Sequence, residues 1–165
     1  GKLTAGKPAQ AIEDRIAQVT QEAYDNGDYI FVAMDRHDEG DTFHPETKLF
    51  PPHNIAGTSG RELYGKLASV YDAIKDDNRV FWMDKRHYSA FSGTDLDIRL
   101  RERRVTTVVL TGVLTDICVL HTAIDAYNLG YDIEVVASAT ASLTPEAHEF
   151  AIGHFKNVLG ATIVE

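Results

Sequence analysis

Three segments carry side chains whose types and spacing could do chemistry together. The first holds the sole cysteine, Cys118, inside Thr111-Gly112-Val113-Leu114-Thr115-Asp116-Ile117-Cys118-Val119. Residues 105–110 (VTTVVL) before it have the β-branched, apolar composition of a buried parallel strand. After it, Ile117, Leu120, Ala123, Ile124 and Tyr127 recur at helical spacing until Asn128-Leu129-Gly130 supplies a stop. A helix therefore starts near Thr115 and places Cys118 in its first turn. Unpaired N–H groups and the positive end of the helix dipole stabilise a thiolate there and can hold an oxyanion. An inert thiol packed as a small hydrophobe fits that position equally well, so other residues must decide.

The second segment is Asp35-Arg36-His37, where residues i and i+2 of an extended chain face the same side. The loop that follows adds His44, Glu46 and His53, a set of oxygen and nitrogen donors able to complete a divalent-metal site. Polar loops also collect such residues by chance, and Asp-x-His alone is a weak signal. The third segment is Asp84-Lys85-Arg86-His87-Tyr88. A lysine there can stabilise a neighbouring thiolate, although lysines are more often solvated.

What must position these groups can be read from the periodicity. Ile12, Ile16, Val19 and Ala23 predict one helix over 8–25, and 29–34 (YIFVAM) reads as a strand. A long loop, 35–57, follows; a loop of that length in a compact domain is usually functional. Ser59 and Glu62 form a capping box that predicts a helix through Leu63, Leu67, Val70 and Ile74. Residues 79–83 (RVFWM) form the next strand, and Thr94 caps a short helix ending near Arg104. Beyond the cysteine helix lie a strand at 131–137, a helix opened by Thr144-Pro145-Glu146 and ended by Gly160, and a last strand at 161–164. This alternation predicts a three-layer α/β/α fold with a mostly parallel, doubly wound sheet. In such sheets ligands gather beyond the carboxyl ends of the strands, and all three chemical segments directly follow strands.

Composition narrows the partners. At 165 residues the chain fits a single domain, 1–165, and its 44% hydrophobic content without a long apolar run excludes a membrane span. A net charge of −9, with only the short RERR run at 101–104 against it, argues against nucleic acid and anionic membranes and for a small-molecule partner. One cysteine cannot form an internal disulfide, which suits a reducing cytoplasm. A homo-oligomer is the expected assembly.

In combination the residues resemble the isochorismatase-like cysteine hydrolases, and among them the nicotinamidase branch. The resemblance is carried by DRH at 35–37, FPPH at 50–53, GTSG at 57–60, DKRHYSAFSGTDL at 84–96 and TGVLTDICV at 111–119, in family order. It implies hydrolysis of nicotinamide to nicotinic acid and ammonia, a step of NAD salvage, with Cys118 as nucleophile and Lys85 as the triad lysine. It also implies a cis peptide at Val113–Leu114 and an oxyanion hole built from the N–H groups of Leu114 and Cys118. Asp35, His37 and His53, with Glu46 as a more variable ligand, would hold one divalent metal: zinc first, with iron(II) and manganese(II) also accepted by such donors. Phe50 and Tyr88 would line the substrate pocket, one against the ring face and one near the metal end.

One departure stands out. The family places a catalytic aspartate at the end of a first, central strand, and neither has a counterpart here. Together with the opening glycine and the helix-first order, this leads to the expectation that the 165 residues are N-terminally incomplete and, taken alone, neither stable nor active. The alternatives weighed are another small-amide hydrolase of the family, isochorismatase itself, a non-haem iron site, and an inactive binding scaffold. The metal donors speak against the other amidases, which usually lack the cluster, and Cys118 and DRH against isochorismatase. The helix–strand alternation speaks against the β-sandwich scaffolds of iron oxygenases.

Overall fold

A computed structural model describes residues 2–165. Helices α1 (Gly6–Ala11) and α2 (Glu13–Asp25) precede β1 (Ile30–Asp35), and a long loop leads to α3 (Gly65–Ile74), β2 (Val80–Lys85) and α4 (Leu96–Glu102). Then come β3 (Thr107–Val113), a π-helical turn (Thr115–Val119) running into α5 (Leu120–Asn128), β4 (Asp132–Ala141), α6 (Pro145–Asn157) and β5 (Thr162–Val164). All strand pairs are parallel, and helices lie on both faces, as the alternation predicts. The pairing forms two groups, β1–β2 and β3–β4–β5, which do not hydrogen-bond to one another among the described residues.

The buried core lies on the face covered by α4, α5 and α6. Met83, Leu96, Leu100, Leu120, Ala123, Ile133, Val135, Ala151 and Phe155 form one cluster there, with Phe31, Ala33, Val108 and Leu110 packed against it. This fixes which way the functional side chains point. Phe31, Ala33 and Asp35 share one face of β1, and Phe81, Met83 and Lys85 share the same face of β2. The β1–β2 register pairs Asp35 directly with Lys85, so both aim toward α5.

Local reading and structure part company at three places. The helix expected over 8–25 is interrupted at Ile12, whose ψ of 0° breaks the α ladder. The Ser59/Glu62 box caps no α-helix: Ser59–Arg61 is a single 3-10 turn, and α3 begins only at Gly65. Tertiary contacts outweigh the local motif there, because Arg61 is drawn to the Asp84 carboxylate and donates to the Asp35 carbonyl at 2.9 Å. The first turn of α3 is capped from another helix, the Lys66 N–H donating to Glu13 Oε1 at 2.9 Å. The third difference is length. β3 and β4 run on to Val113 and Ala141, with a register shift at Leu110/Gly112, where Gly112 adopts a φ of 107° that suits glycine. Thr144 does cap α6, accepting from the Ala147 N–H at 3.2 Å. No helix among the described residues is long and apolar enough to cross a membrane.

Phe155 and Phe150 lie on the same helix but differ in burial, at 0% and 67% exposure. Phe155→Ala should cost about 3–5 kcal/mol by the cavity it leaves. Phe150→Ala should stay within about 0.5 kcal/mol. Urea denaturation midpoints of the two variants check this ordering.

Candidate active site

The carboxyl ends of β1, β2 and β3 meet around Lys85. Its side chain is 5% exposed, and its Nζ donates to three groups: the Asp35 carboxylate, the His87 carbonyl at 3.0 Å and Cys118 Sγ at 3.6 Å. Burial works against the ammonium, but Cys118 and Asp35 more than offset it, so the lysine is held above its ordinary value. Asp35 does most of this at neutral pH, since an uncharged thiol contributes little Coulombic attraction. Burial pushes the Cys118 thiol up to about 11; Lys85 pulls the other way, while Asp35 and Glu46 add to the rise. Lys85 therefore steadies a thiolate once formed but does not form one at pH 7. No carboxylate or imidazole among the described residues is hydrogen-bonded to Cys118.

The cysteine sits on a π-helical turn. The Leu114 carbonyl accepts from Ile117 at 3.1 Å and from Val119 at 3.2 Å, the second an i to i−5 bond. The Val113–Leu114 peptide is cis, as the resemblance implies. The Leu114 N–H donates to no group among the described residues. Two contacts anchor the turn, and periodicity does not reveal them. Fully buried Thr115 bonds His148 Nδ1 of α6 at 2.9 Å, and Asp116 accepts from the Ser142 hydroxyl at 2.7 Å. Asp116 is thereby a structural carboxylate.

Beside Asp35 lies a group of donors. His37, Glu46 and His53 each offer one atom, and these atoms lie within 4.8 Å of one another. Glu46 Oε2 is 3.3 Å from His53 Nε2, and Oε1 is 3.8 Å from His37 Nε2. Burial, followed by the neighbouring His53 and His44, lowers His37 to about 4, so it is a neutral imidazole with a lone pair to give. The contact with Glu46 is accordingly no ion pair. Burial and then Asp35 raise Glu46, which the surrounding imidazoles and Lys85 partly offset. His53 Nδ1 lies 2.9 Å from the Pro51 carbonyl; such an outer bond puts the hydrogen on Nδ1 and leaves Nε2 to ligate. Two imidazoles, His37 among them held neutral by burial, and a buried carboxylate fit a divalent ion. Asp35 is outside this group of three, its Oδ1 given to Lys85, yet it is near enough to raise Glu46.

The two aromatic candidates take different ends of the site. Phe50 meets the His53 ring edge-on at 6.3 Å between centroids, at the donor end. Tyr88 packs on His121 at 5.1 Å, and its hydroxyl is raised first by burial and then by Glu46, Cys118 and Asp35. His44, which the sequence offers as a donor beside Glu46 and His53, lies outside the group of three; it is 3% exposed and accepts the Glu46 N–H on Nδ1 at 3.2 Å. Its place two residues before Glu46, in front of a proline, is the N-cap pattern that could have flagged this capping role.

The isochorismatase domain family matches residues 2–164. The chain is 53% identical over 165 residues to an uncharacterized isochorismatase family protein PncA of Bacillus subtilis (strain 168), covering 100% of this chain and 90% of that one. Among solved structures it resembles the pyrazinamidase/nicotinamidase of Streptococcus mutans UA159, with a TM-score of 0.98, 80% identity, and coverage of 99% of this chain and 91% of the other. A more distant likeness is the pyrazinamidase of Pyrococcus horikoshii in complex with zinc, with a TM-score of 0.81, 26% identity, and coverage of 95% and 86%.

The raised thiol has a direct readout. Because burial favours the neutral form, iodoacetamide alkylation of Cys118 should still be accelerating roughly tenfold per pH unit between pH 7.5 and 9.5. A rate that has levelled by pH 8 would contradict the account.

Proposed function

The chain belongs to the isochorismatase domain family, and from that premise we propose that it is a nicotinamidase, hydrolysing nicotinamide to nicotinate and ammonia in NAD salvage. The observation that carries this reading is the reach of one buried ammonium, Lys85, to both Cys118 and Asp35, with the His37–Glu46–His53 donors alongside. The similarity to proteins described as nicotinamidase and pyrazinamidase supports it.

In this reading the Cys118 sulfur attacks the carboxamide carbon as its proton passes to a carboxylate. The oxyanion that forms is held by the N–H groups of Leu114 and Cys118, and Lys85 offsets the negative charge at the sulfur. The carboxylic acid returns its proton to the departing nitrogen, ammonia leaves, and a thioester remains. Water then attacks the thioester carbon as the carboxylate takes one of its protons; the C–S bond breaks, the carboxylic acid returns that proton to sulfur, and nicotinic acid leaves and ionises to nicotinate. Phe50 and Tyr88 orient the pyridine ring between the two ends of the site. His37, Glu46 and His53, with Asp35 as a further carboxylate, would hold one divalent ion, most suitably zinc. When bound, that ion supplies an electrophilic anchor for the pyridine nitrogen. The zinc complex of the Pyrococcus relative supports this choice.

The proton acceptor in this scheme is an aspartate outside the described residues, on a parallel strand lying between β1 and β3. Two facts support it. Among the described residues the β1–β2 and β3–β4–β5 groups are unpaired with each other, and β3 leaves Val109 and Val113 at 50% and 43% exposure. The whole forms one isochorismatase-like domain, read as a cytoplasmic homo-oligomer.

Cys118→Ala should abolish ammonia release from nicotinamide, a loss of at least about 10³-fold, while leaving the thermal midpoint unchanged. Retained activity would remove Cys118 from the mechanism. Protein whose intact mass equals these 165 residues should release no nicotinate. Turnover by it would overturn the aspartate assignment without touching Cys118.

A further inference from the structure

Two adjacent imidazoles in the donor cluster hold buried nitrogens without a partner among the described residues: both nitrogens of His37, and Nε2 of His44. The rings pack with centroids 4.1 Å apart, tilted by 53°. The tautomer of each ring follows from its other contacts. His44 Nδ1 accepts the Glu46 N–H at 3.2 Å, and a nitrogen that accepts cannot carry a hydrogen, so neutral His44 has its hydrogen on Nε2. In that form Nε2 has no lone pair for a metal. Moving the hydrogen to Nδ1 would set two N–H groups head to head. With a cation held in the donor group His37 is the reverse case: its Nε2, 3.8 Å from Glu46 Oε1, gives its lone pair to the ion, which leaves the hydrogen on Nδ1. His37 Nδ1 and His44 Nε2 are therefore both donors, and two donors cannot satisfy each other. Buried donors are nearly always satisfied, and His53 is, through the Pro51 carbonyl.

We propose that His44 is not a metal ligand but a positioning residue for His37, and that the His37 Nδ1–H and the His44 Nε2–H both donate to one buried water oxygen. A water accepts two such bonds, and in doing so it fixes the His37 ring with Nε2 turned to Glu46 and His53. The Glu46 backbone sets the tautomer of His44, so the same short turn supplies one ligand and orients the support of another. This inference rests on the reading of His37, Glu46 and His53 as a metal site and adds to it the way His37 is held.

The test uses ¹⁵N-labelled, zinc-loaded protein and a long-range ¹H–¹⁵N correlation of the histidine side chains. The expected pattern is a hydrogen on Nε2 for His44 and on Nδ1 for His37; a protonated Nδ1 with a zinc-bound Nε2 on His44 would overturn the proposal. Zinc affinity, measured by chelator competition, separates the remaining roles. His44→Phe should weaken zinc about tenfold with the stoichiometry of one retained. His44→Gln, which restores a polar partner in the same place, should recover most of the loss. Loss as severe as in His53→Gln would make His44 a ligand, and no loss in His44→Phe would make it filler; either result overturns the proposal. None of these readouts involves turnover, so they fail separately from the nicotinamidase reading. If the wild-type protein binds no zinc, the metal reading falls, and with it the role of His44.

Discussion

A lysine ammonium that is 5% exposed must be paired, because an isolated charge in the interior is far too costly to keep. Lys85 meets this constraint by drawing together groups from separate parts of the chain. Asp35 reaches it from β1, the His87 carbonyl from the loop after β2, and Cys118 from the turn after β3. Among the described residues the two strand groups share no backbone ladder, so this polar junction, with the apolar cluster under it, is what registers the His37–Glu46–His53 cluster against Cys118. Its chemistry follows from its place. The ammonium is retained by Asp35, and its positive charge is then available where sulfur becomes negative.

Around that junction each reactive group is set by something more rigid than itself. Parallel pairing of Asp35 with Lys85 puts both on the α5 side of the sheet. The π-helical turn is fastened through Thr115 to α6 and through Asp116 to Ser142, so the cysteine is held from two directions. The loop that bears Glu46 and His53 carries its own supports: the 3-10 turn at Pro45–Lys48 buries Glu46, and the Pro51 carbonyl orients the His53 ring. The donor cluster and Cys118 thus follow separate strand ends, joined through Asp35 and Lys85.

Much of this was legible in the residues, and what was not has a physical reason. The strands, the helix after the cysteine and the placing of Asp35, His37, Lys85 and Cys118 at strand ends follow from periods of two and 3.6 residues. The bond between Asp35 and Lys85 does not, because it depends on the register of two strands 50 residues apart. Ser59 and Glu62 read as a helix start, yet Arg61 between them is held by Asp84 and the Asp35 carbonyl, so α3 waits until Gly65. Thr115–His148 and Asp116–Ser142 join segments 33 and 26 residues apart and leave no local trace. His44 was legible as a donor but not as a capped and buried one, since its tautomer depends on a backbone N–H two residues on.

The central claim is that the amide carbon passes through a bond to Cys118. Acid-quenching the enzyme during turnover of nicotinamide, followed by intact-mass and peptide mapping, tests it most directly. One nicotinoyl group on the peptide containing Cys118, lost on treatment with hydroxylamine, is the expected result. Steady nicotinate production with no adduct on that peptide at any quench time, under conditions where an added thioester standard survives, would contradict it.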